Sequence, residues 1–224
     1  MVEREAALRA GLKSLALDLS NLQIGQLLDY QDLIGKWTKV YNLTAVRDPA
    51  EMLTHHLLDS LAAVPPLQKH LLSGGLLSRE GDGAKLLDVG SGAGLPGVVF
   101  AICCPILSVT CVDTVGKKAA FIKQAALSLG LTNLMGLHSR VENIAVPFDV
   151  ICSRAFASLA DFTAWSAKAL AQGGVWMALK GKHPADELSV LPAGVSVFHV
   201  EQLVVPGLDA DRCIVWLRSS SAAV

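Results

Sequence analysis

The sequence predicts an α/β fold: a mainly parallel seven-stranded sheet with an antiparallel hairpin at its edge, preceded by a helical amino-terminal cap. Three observations predict it. From Lys85 onward, short apolar runs alternate with segments of helical length, the rhythm of parallel strands joined by crossover helices and covered on both faces. From Glu3 to about Val64 the apolar residues recur at helical spacing. The first apolar run leads straight into LLDVGSGAGLPGVVF, residues 86–100, which sets four glycines in eight positions after an aspartate.

In the cap, Leu8, Leu12, Leu15 and Leu19 make one helical stripe, and Ile24, Leu27, Leu28, Leu33, Ile34 and Trp37 make a second. A turn is expected from Tyr41 to Pro49. Asp48-Pro49-Ala50-Glu51 reads as a helix start, with Asp48 as N-cap and Pro49 in the first turn. That helix carries His55, His56 and Asp59 and is expected to end at Pro65-Pro66. The glycine-rich spacer SGGLLSREGDG follows, dividing a cap of residues 1–72 from a second compact unit of residues 73–224.

Strands are predicted at Lys85 to Val89, Ser108 to Asp113, Asn133 to His138, Asp149 to Ser153, Val175 to Lys180, Val195 to Val205 and Cys213 to Arg218. Helices are predicted at Leu95 to Cys104, Val115 to Leu129, Leu159 to Ala171 and Pro184 to Leu191. No helix separates the last two strands, so they form the hairpin.

Composition narrows the function classes. With 52% hydrophobic residues and a formal net charge of −1, the chain is neither disordered nor a strongly basic nucleic-acid binder. Five cysteines without a CxxC pair fit reduced thiols in the cytoplasm and no metal site. No secretory signal opens the chain. Val89 to Val112 lacks charge over a bilayer-spanning length, but Gly90, Gly92, Gly94, Pro96, Gly97 and Pro105 break it into strand end, loop, helix and strand. No membrane partner is expected, and the default assembly is a monomer.

In a sheet of this kind ligands sit where the first strand turns into the first helix. Glycine there permits positive φ and close approach of a ligand. Two cofactors compete for the loop. From Gly92 it reads GxGxxG, the dinucleotide pattern; from Asp88 it reads Asp-x-Gly-x-Gly-x-Gly, the pattern of S-adenosylmethionine (SAM) enzymes. Pro96 removes an amide donor that a pyrophosphate would want. Asp113, at the end of the second strand, suits ribose hydroxyls in either class.

DVGSGAGLPG, VDTVGKKAAFI, SRVEN, SRAFASL and ALKG, preceded by YNLTAVRDP and HHLLDSL, closely resemble the glucose-inhibited division protein B family of small-subunit ribosomal RNA guanine-N7 methyltransferases, from about Trp37 to Arg218. Thr114 stands where that pattern has serine, and Asn143 where a second acid is usual. The resemblance implies a class I SAM-dependent methyltransferase with a Rossmann-like fold, acting on a guanine in the decoding-region loop of 16S rRNA within the small ribosomal subunit. It implies SAM contacts from Asp88, Gly90, Ser91, Gly92, Gly94 and Leu95, ribose binding by Asp113, adenine contacts from Val141 and Glu142, and Arg154 close to the cofactor.

The chemistry agrees with that implication. Guanine N7 has a free in-plane lone pair, so no base need remove a proton and catalysis reduces to proximity and orientation. The fourth strand is followed by Ser153-Arg154-Ala155-Phe156, without the Asn/Asp-Pro-Pro-aromatic stretch that serves adenine amines. Cys152 lies within a strand, where a core role is expected rather than that of a pyrimidine-attacking nucleophile. Arg154 and Lys180 are the candidate catalytic residues, by positioning. Arg47, His56, Lys180 and Lys182 are candidate RNA contacts, and Phe156 either stacks on an unpaired guanine or fills the core. The alternatives are a small-metabolite methyltransferase, a dinucleotide-dependent oxidoreductase, and a non-catalytic ribosome-assembly factor.

Overall fold

The structure, a computed structural model, describes residues 2–76 and 83–220. The cap is helical, as its periodicity predicts. Helix α1 (Val2–Ser14) buries Leu8 and Leu12, and α2 (Asn21–Tyr41) buries Ile24, Leu27, Leu28 and Ile34. A reciprocal capping box starts α2: the Gln23 amide donates to the Ser20 hydroxyl while the Gln23 side chain accepts the Ser20 amide. Asp48 caps the next rod, accepting the amides of Ala50 and Glu51.

That rod comprises α3 (Pro49–Met52), a π-helical segment (Leu53–Leu58) and α4 (Asp59–Leu61). The rod ends at Leu61, ahead of Pro65-Pro66 as expected, but a helix that the sequence did not predict follows. The two prolines sit in the first turn of a further helix, α5 (Val64–Ser73), where an absent amide has no intrahelical acceptor to miss. Most of the spacer at 73–83 lies outside the described residues.

All seven predicted strands are present: β1 (Lys85–Val89), β2 (Ser108–Asp113), β3 (Leu134–His138), β4 (Phe148–Arg154), β5 (Leu170–Lys180), β6 (Val195–Leu203) and β7 (Arg212–Ser219). Their order is β3-β2-β1-β4-β5-β7-β6. β1 to β5 pair in parallel, while β7 runs antiparallel to both β5 and β6. The crossover helices are α6 (Gly97–Cys103), α7 (Gly116–Leu129) and α8 (Leu159–Ser166), with the short α9 (Ala185–Ser189) before the hairpin.

Two boundaries differ from expectation. The register between β4 and β5 jumps from Phe148–Leu170 to Val150–Val175, so β5 begins before the Gly173-Gly174 bulge and α8 ends at Ser166. Helix α6 starts only at Gly97, because residues 91–96 turn on themselves, with the Gly94 and Leu95 amides donating to the Ser91 carbonyl.

Strand side chains alternate between two cores. Leu86, Val109, Val150, Met177 and Ile214 face the cap helices and join Leu8, Leu27, Leu57 and Leu67 in one apolar cluster. Leu87, Val112, Ile151, Trp176 and Val215 face the other side, against Phe162 and Leu159. The sheet order reverses at β1, which lies between β2 and β4. The crevice at the carboxyl ends of those strands is therefore the expected ligand site.

Candidate active site

The glycine loop is built from three directions. Below it, the wholly buried Asp88 accepts the Gly97 amide at 2.9 Å. From β2, Asp113 accepts the amides of Gly92 (3.0 Å) and Val115 (2.8 Å). From α2, the buried Tyr30 hydroxyl donates to the Ala93 carbonyl at 2.6 Å. Gly90, Gly92 and Gly94 hold φ of 67°, 59° and 86°, the left-handed region that side chains disfavour. Burial pushes the Asp88 carboxyl up to about 6, partly offset by the Gly97 amide.

Two cavities meet over this loop, sharing Gly90 and Ala155. One, of about 450 Å³, is lined by Thr44, His55, His56, Asp59, Ser91, Leu95, Arg154, Lys180 and Arg212, among others. The other, of about 330 Å³, is lined by Asp113, Thr114, Val141, Glu142, Phe156 and Trp165, among others.

The larger cavity has an ionic floor. Asp59, 5% exposed, accepts Arg154 Nη1 at 2.6 Å and Arg212 Nε at 2.7 Å. Arg154 Nη1 also donates to the His55 carbonyl at 3.0 Å. Two guanidiniums on one carboxylate leave a net positive charge at the wall. Lys180 is held too, donating to both carboxylate oxygens of Glu187 at 2.9 Å and to the Ala157 carbonyl at 3.0 Å. His56 shares a 2.8 Å hydrogen bond with the Thr44 hydroxyl. Burial, with a smaller contribution from the Arg154 charge, holds its pKa below the usual imidazole value, so it is neutral at pH 7.

Comparison with known proteins shows the family of the chain. Residues 23–215 match the family model described as rRNA small subunit methyltransferase G. A curated ribosomal RNA small subunit methyltransferase G from a Polaromonas species is 74% identical over 98% of this chain and 95% of its own.

The chain belongs to the rRNA small subunit methyltransferase G family.

It is a SAM-dependent methyltransferase of small-subunit ribosomal RNA. Solved structures agree on the fold. A SAM-dependent methyltransferase from Aquifex aeolicus matches with a TM-score of 0.50 at 19% identity, over 76% of this chain and 98% of its own. TrmN from Thermus thermophilus matches with a TM-score of 0.53 at 20% identity, over 75% of this chain and 53% of its own.

The loop fits the methyltransferase cofactor and not a dinucleotide. The amides of Gly90 and Ser91 donate to the Val112 carbonyl, those of Gly94 and Leu95 to Ser91, that of Gly92 to Asp113 and that of Gly97 to Asp88. None of these is free for a pyrophosphate, which needs such donors. SAM carries no phosphate and does not need such donors. A β-carbon on Gly90 would run into the Phe156 ring, whereas the nearest atom to one on Gly92 is 4.0 Å away.

Of the residues singled out in this methyltransferase's sequence, Gly90, Ser91, Gly92, Leu95, His56, Arg154 and Lys180 line the larger cavity. Gly90, Asp113, Val141, Glu142 and Phe156 line the smaller. Asp88 and Gly94 line neither: both lie behind the loop. A β-carbon on Gly94 would sit 2.5 Å from Val98 and 3.2 Å from the Tyr30 hydroxyl. Arg47 lines a separate groove, and Lys182 is exposed outside both cavities. Phe156 packs edge-on to Trp165 with centroids 5.9 Å apart. Cys152 is wholly buried, and burial holds its thiol well above the usual range. Sequence reasoning missed Asp59 and Arg212 as site residues. Asp59 carried a signal, lying three and four residues beyond His56 and His55 on one helix. Arg212 carried none, being 153 residues from its partner.

Proposed function

We propose that this enzyme methylates N7 of a guanine in the decoding-region loop of 16S rRNA, working in the cytoplasm as a single chain. The observation that carries this reading is a cavity whose cationic side chains are each held in place by a carboxylate. Arg154 and Arg212 are tied to Asp59, Lys180 to Glu187 and His56 to Thr44, and Cys152 is sealed in the sheet. A nucleophile with its own in-plane lone pair needs only to be aimed, which is what such a site supplies.

When bound, SAM supplies an electrophilic methyl group on a sulfonium. Asp113 retains carboxylate lone pairs for ribose hydroxyls beyond the two amides it accepts, and Val141 and Glu142 flank the adenine. Gly90, Ser91, Gly92 and Leu95 form the wall along which the cofactor runs, and Asp88 and Gly94 set the loop's shape from behind. Arg154 and Lys180, at the carboxyl ends of β4 and β5, hold the guanine and its phosphate at the larger cavity. His56, neutral, shapes that cavity, and Phe156 covers the seam between the two ends. Lys182 meets phosphate at the rim.

The test is methyl transfer from labelled SAM to small subunits lacking the modification, with the product nucleoside identified. Label in 7-methylguanosine, reduced at least 100-fold by Gly90→Asp and by Arg154→Ala, is the expected result. Label in another nucleoside would refute the N7 assignment.

A further inference from the structure

Along the turn that joins α2 to α3 lies a second groove, of about 340 Å³, outside the catalytic cavity. Arg4, Gln31, Lys36, Thr38, Lys39 and Arg47 line it. We propose that this groove binds a phosphodiester of the RNA strand flanking the target nucleotide, anchoring the substrate while the guanine occupies the catalytic cavity. The proposal rests on the reading that small-subunit rRNA is the substrate.

Charge is the first observation. The cations of the catalytic cavity are each held by a carboxylate, Arg154 and Arg212 by Asp59 and Lys180 by Glu187. In the groove, Lys36, Lys39 and Arg47 are exposed and make no ion pair among the described residues. The carboxylates are already engaged: Asp32, which also lines the groove, binds Arg4, with a weaker pull from Lys36, and Asp48 caps α3. A chain with a net charge of −1 that acts on a polyanion gains from a local cluster of unpaired cations, and these three form one.

The second observation is polar and independent of charge. Thr38 is 1% exposed and Gln31 2%, yet the Thr38 hydroxyl and the Gln31 side-chain carbonyl hydrogen-bond nothing, and the same holds for Arg4 Nε. Buried polar groups are ordinarily satisfied. Two of these orphans, Thr38 and Arg4 Nε, are donors of the kind a phosphate oxygen accepts. The third is an acceptor, oriented because the Gln31 amide nitrogen donates to the Pro49 carbonyl at 2.5 Å. A ribose 2′-hydroxyl is the donor that RNA offers it, and DNA does not.

Continuity with the catalytic cavity is the third. Leu43 and Thr44 face the catalytic cavity, while Arg47 and Pro49, a few residues on, face the groove. Met52 faces the groove and His55, His56 and Asp59 the cavity, on one rod. A single strand laid across residues 42–49 reaches both. Arg47 is poised on that path, its Nη2 donating to Asn42 at 2.7 Å.

The test compares the full-length enzyme with Lys36→Ala/Lys39→Ala/Arg47→Ala, and with Lys69→Ala/Lys123→Ala/Lys168→Ala, which removes three exposed lysines elsewhere. Affinity for deproteinised 16S rRNA is measured against salt, with SAM affinity, melting temperature and methylation kinetics alongside. The groove variant should bind RNA at least 10-fold more weakly, and its log–log salt slope should drop by about 2. Its KM for RNA should rise, with kcat and SAM affinity unchanged. Thr38→Val should weaken RNA binding about 3-fold with the salt slope intact. Unchanged affinity and slope in the groove variant, or an equal loss in the distal triple variant, would overturn the proposal. If RNA binding depends on the groove but no rRNA is methylated, the substrate reading fails while the anion site stands.

Discussion

Asp59 does more than any other single residue to shape the catalytic cavity, because one buried carboxylate aims two guanidiniums from strands on either side of β5. Arg154 Nη1 serves both Asp59 and the His55 carbonyl, so position and charge are set together. Replacing Asp59 with Asn leaves two partly buried cations without a counter-charge, a change that costs about 3 kcal/mol where pairs are buried. Asp59→Asn should therefore unfold at lower denaturant and lose methyl transfer at least 100-fold; unchanged activity would refute its positioning role. Arg154→Lys should not restore transfer lost in Arg154→Ala, since an ammonium does not reproduce the planar fork. Asp88 makes a different prediction. Its folded-state value of about 6 lies above the unfolded value of about 3.9, so folding favours its neutral form. Its contribution is complete below pH 4 and is lost as pH rises through 6, a decline of about 3 kcal/mol. Denaturation of wild type beside Asp88→Asn, at pH 4.5 and pH 7, should show the variant gaining on the wild type at the higher pH. Parallel curves would mean that Asp88 is already ionised at pH 4.5 in the folded protein.

Among the elements, the helix start at Asp48 was read from the sequence, while the Ser20 cap, equally local, was not singled out. Asp48-Pro49 starts α3 and Ser20 starts α2 for reasons confined to a few neighbouring residues: an oxygen that reaches a free amide, and a fixed φ. Ser20→Ala should lower stability by about 1 kcal/mol and leave methylation intact; loss of activity at unchanged stability would argue that α2 transmits to the loop through Tyr30. The π-helical segment was not legible. Leu53–Leu58 widens the rod at the residues that present His55 and His56 to the cavity, and only packing against neighbouring elements sets where such a turn forms. Pro65-Pro66 marked the end of that rod but not the start of α5 for a related reason: proline closes one helix and opens another with the same ring, and whether a second follows depends on what Leu67 and Leu71 are given to pack against.

At the scale of the whole molecule, the cap and the sheet share one core. Leu8, Leu27 and Leu57 sit in the same apolar cluster as Val109, Val150 and Ile214, so the chain should unfold in one calorimetric transition, with the two enthalpies equal; two transitions would mean that residues 1–72 form a separate domain. The sequence by itself determined the strand order of events along the chain, the glycine loop and the residues that line it, because periodicity, glycine and proline act within a few residues of themselves. It also carried the SRAFASL stretch at the end of β4, which turned a generic glycine loop into a particular family. Only the tertiary structure decided that Asp59 joins Arg154 to Arg212, that Gly94 and Asp88 work behind the loop, and that Arg47 belongs to a second groove with Lys36 and Thr38. The Asp59 pairs and the Tyr30 contact with the loop join segments 63 to 153 residues apart, and even the nearer pairs meet only through a folded turn, so no spacing in a linear chain records which side chains a closed core will bring within reach.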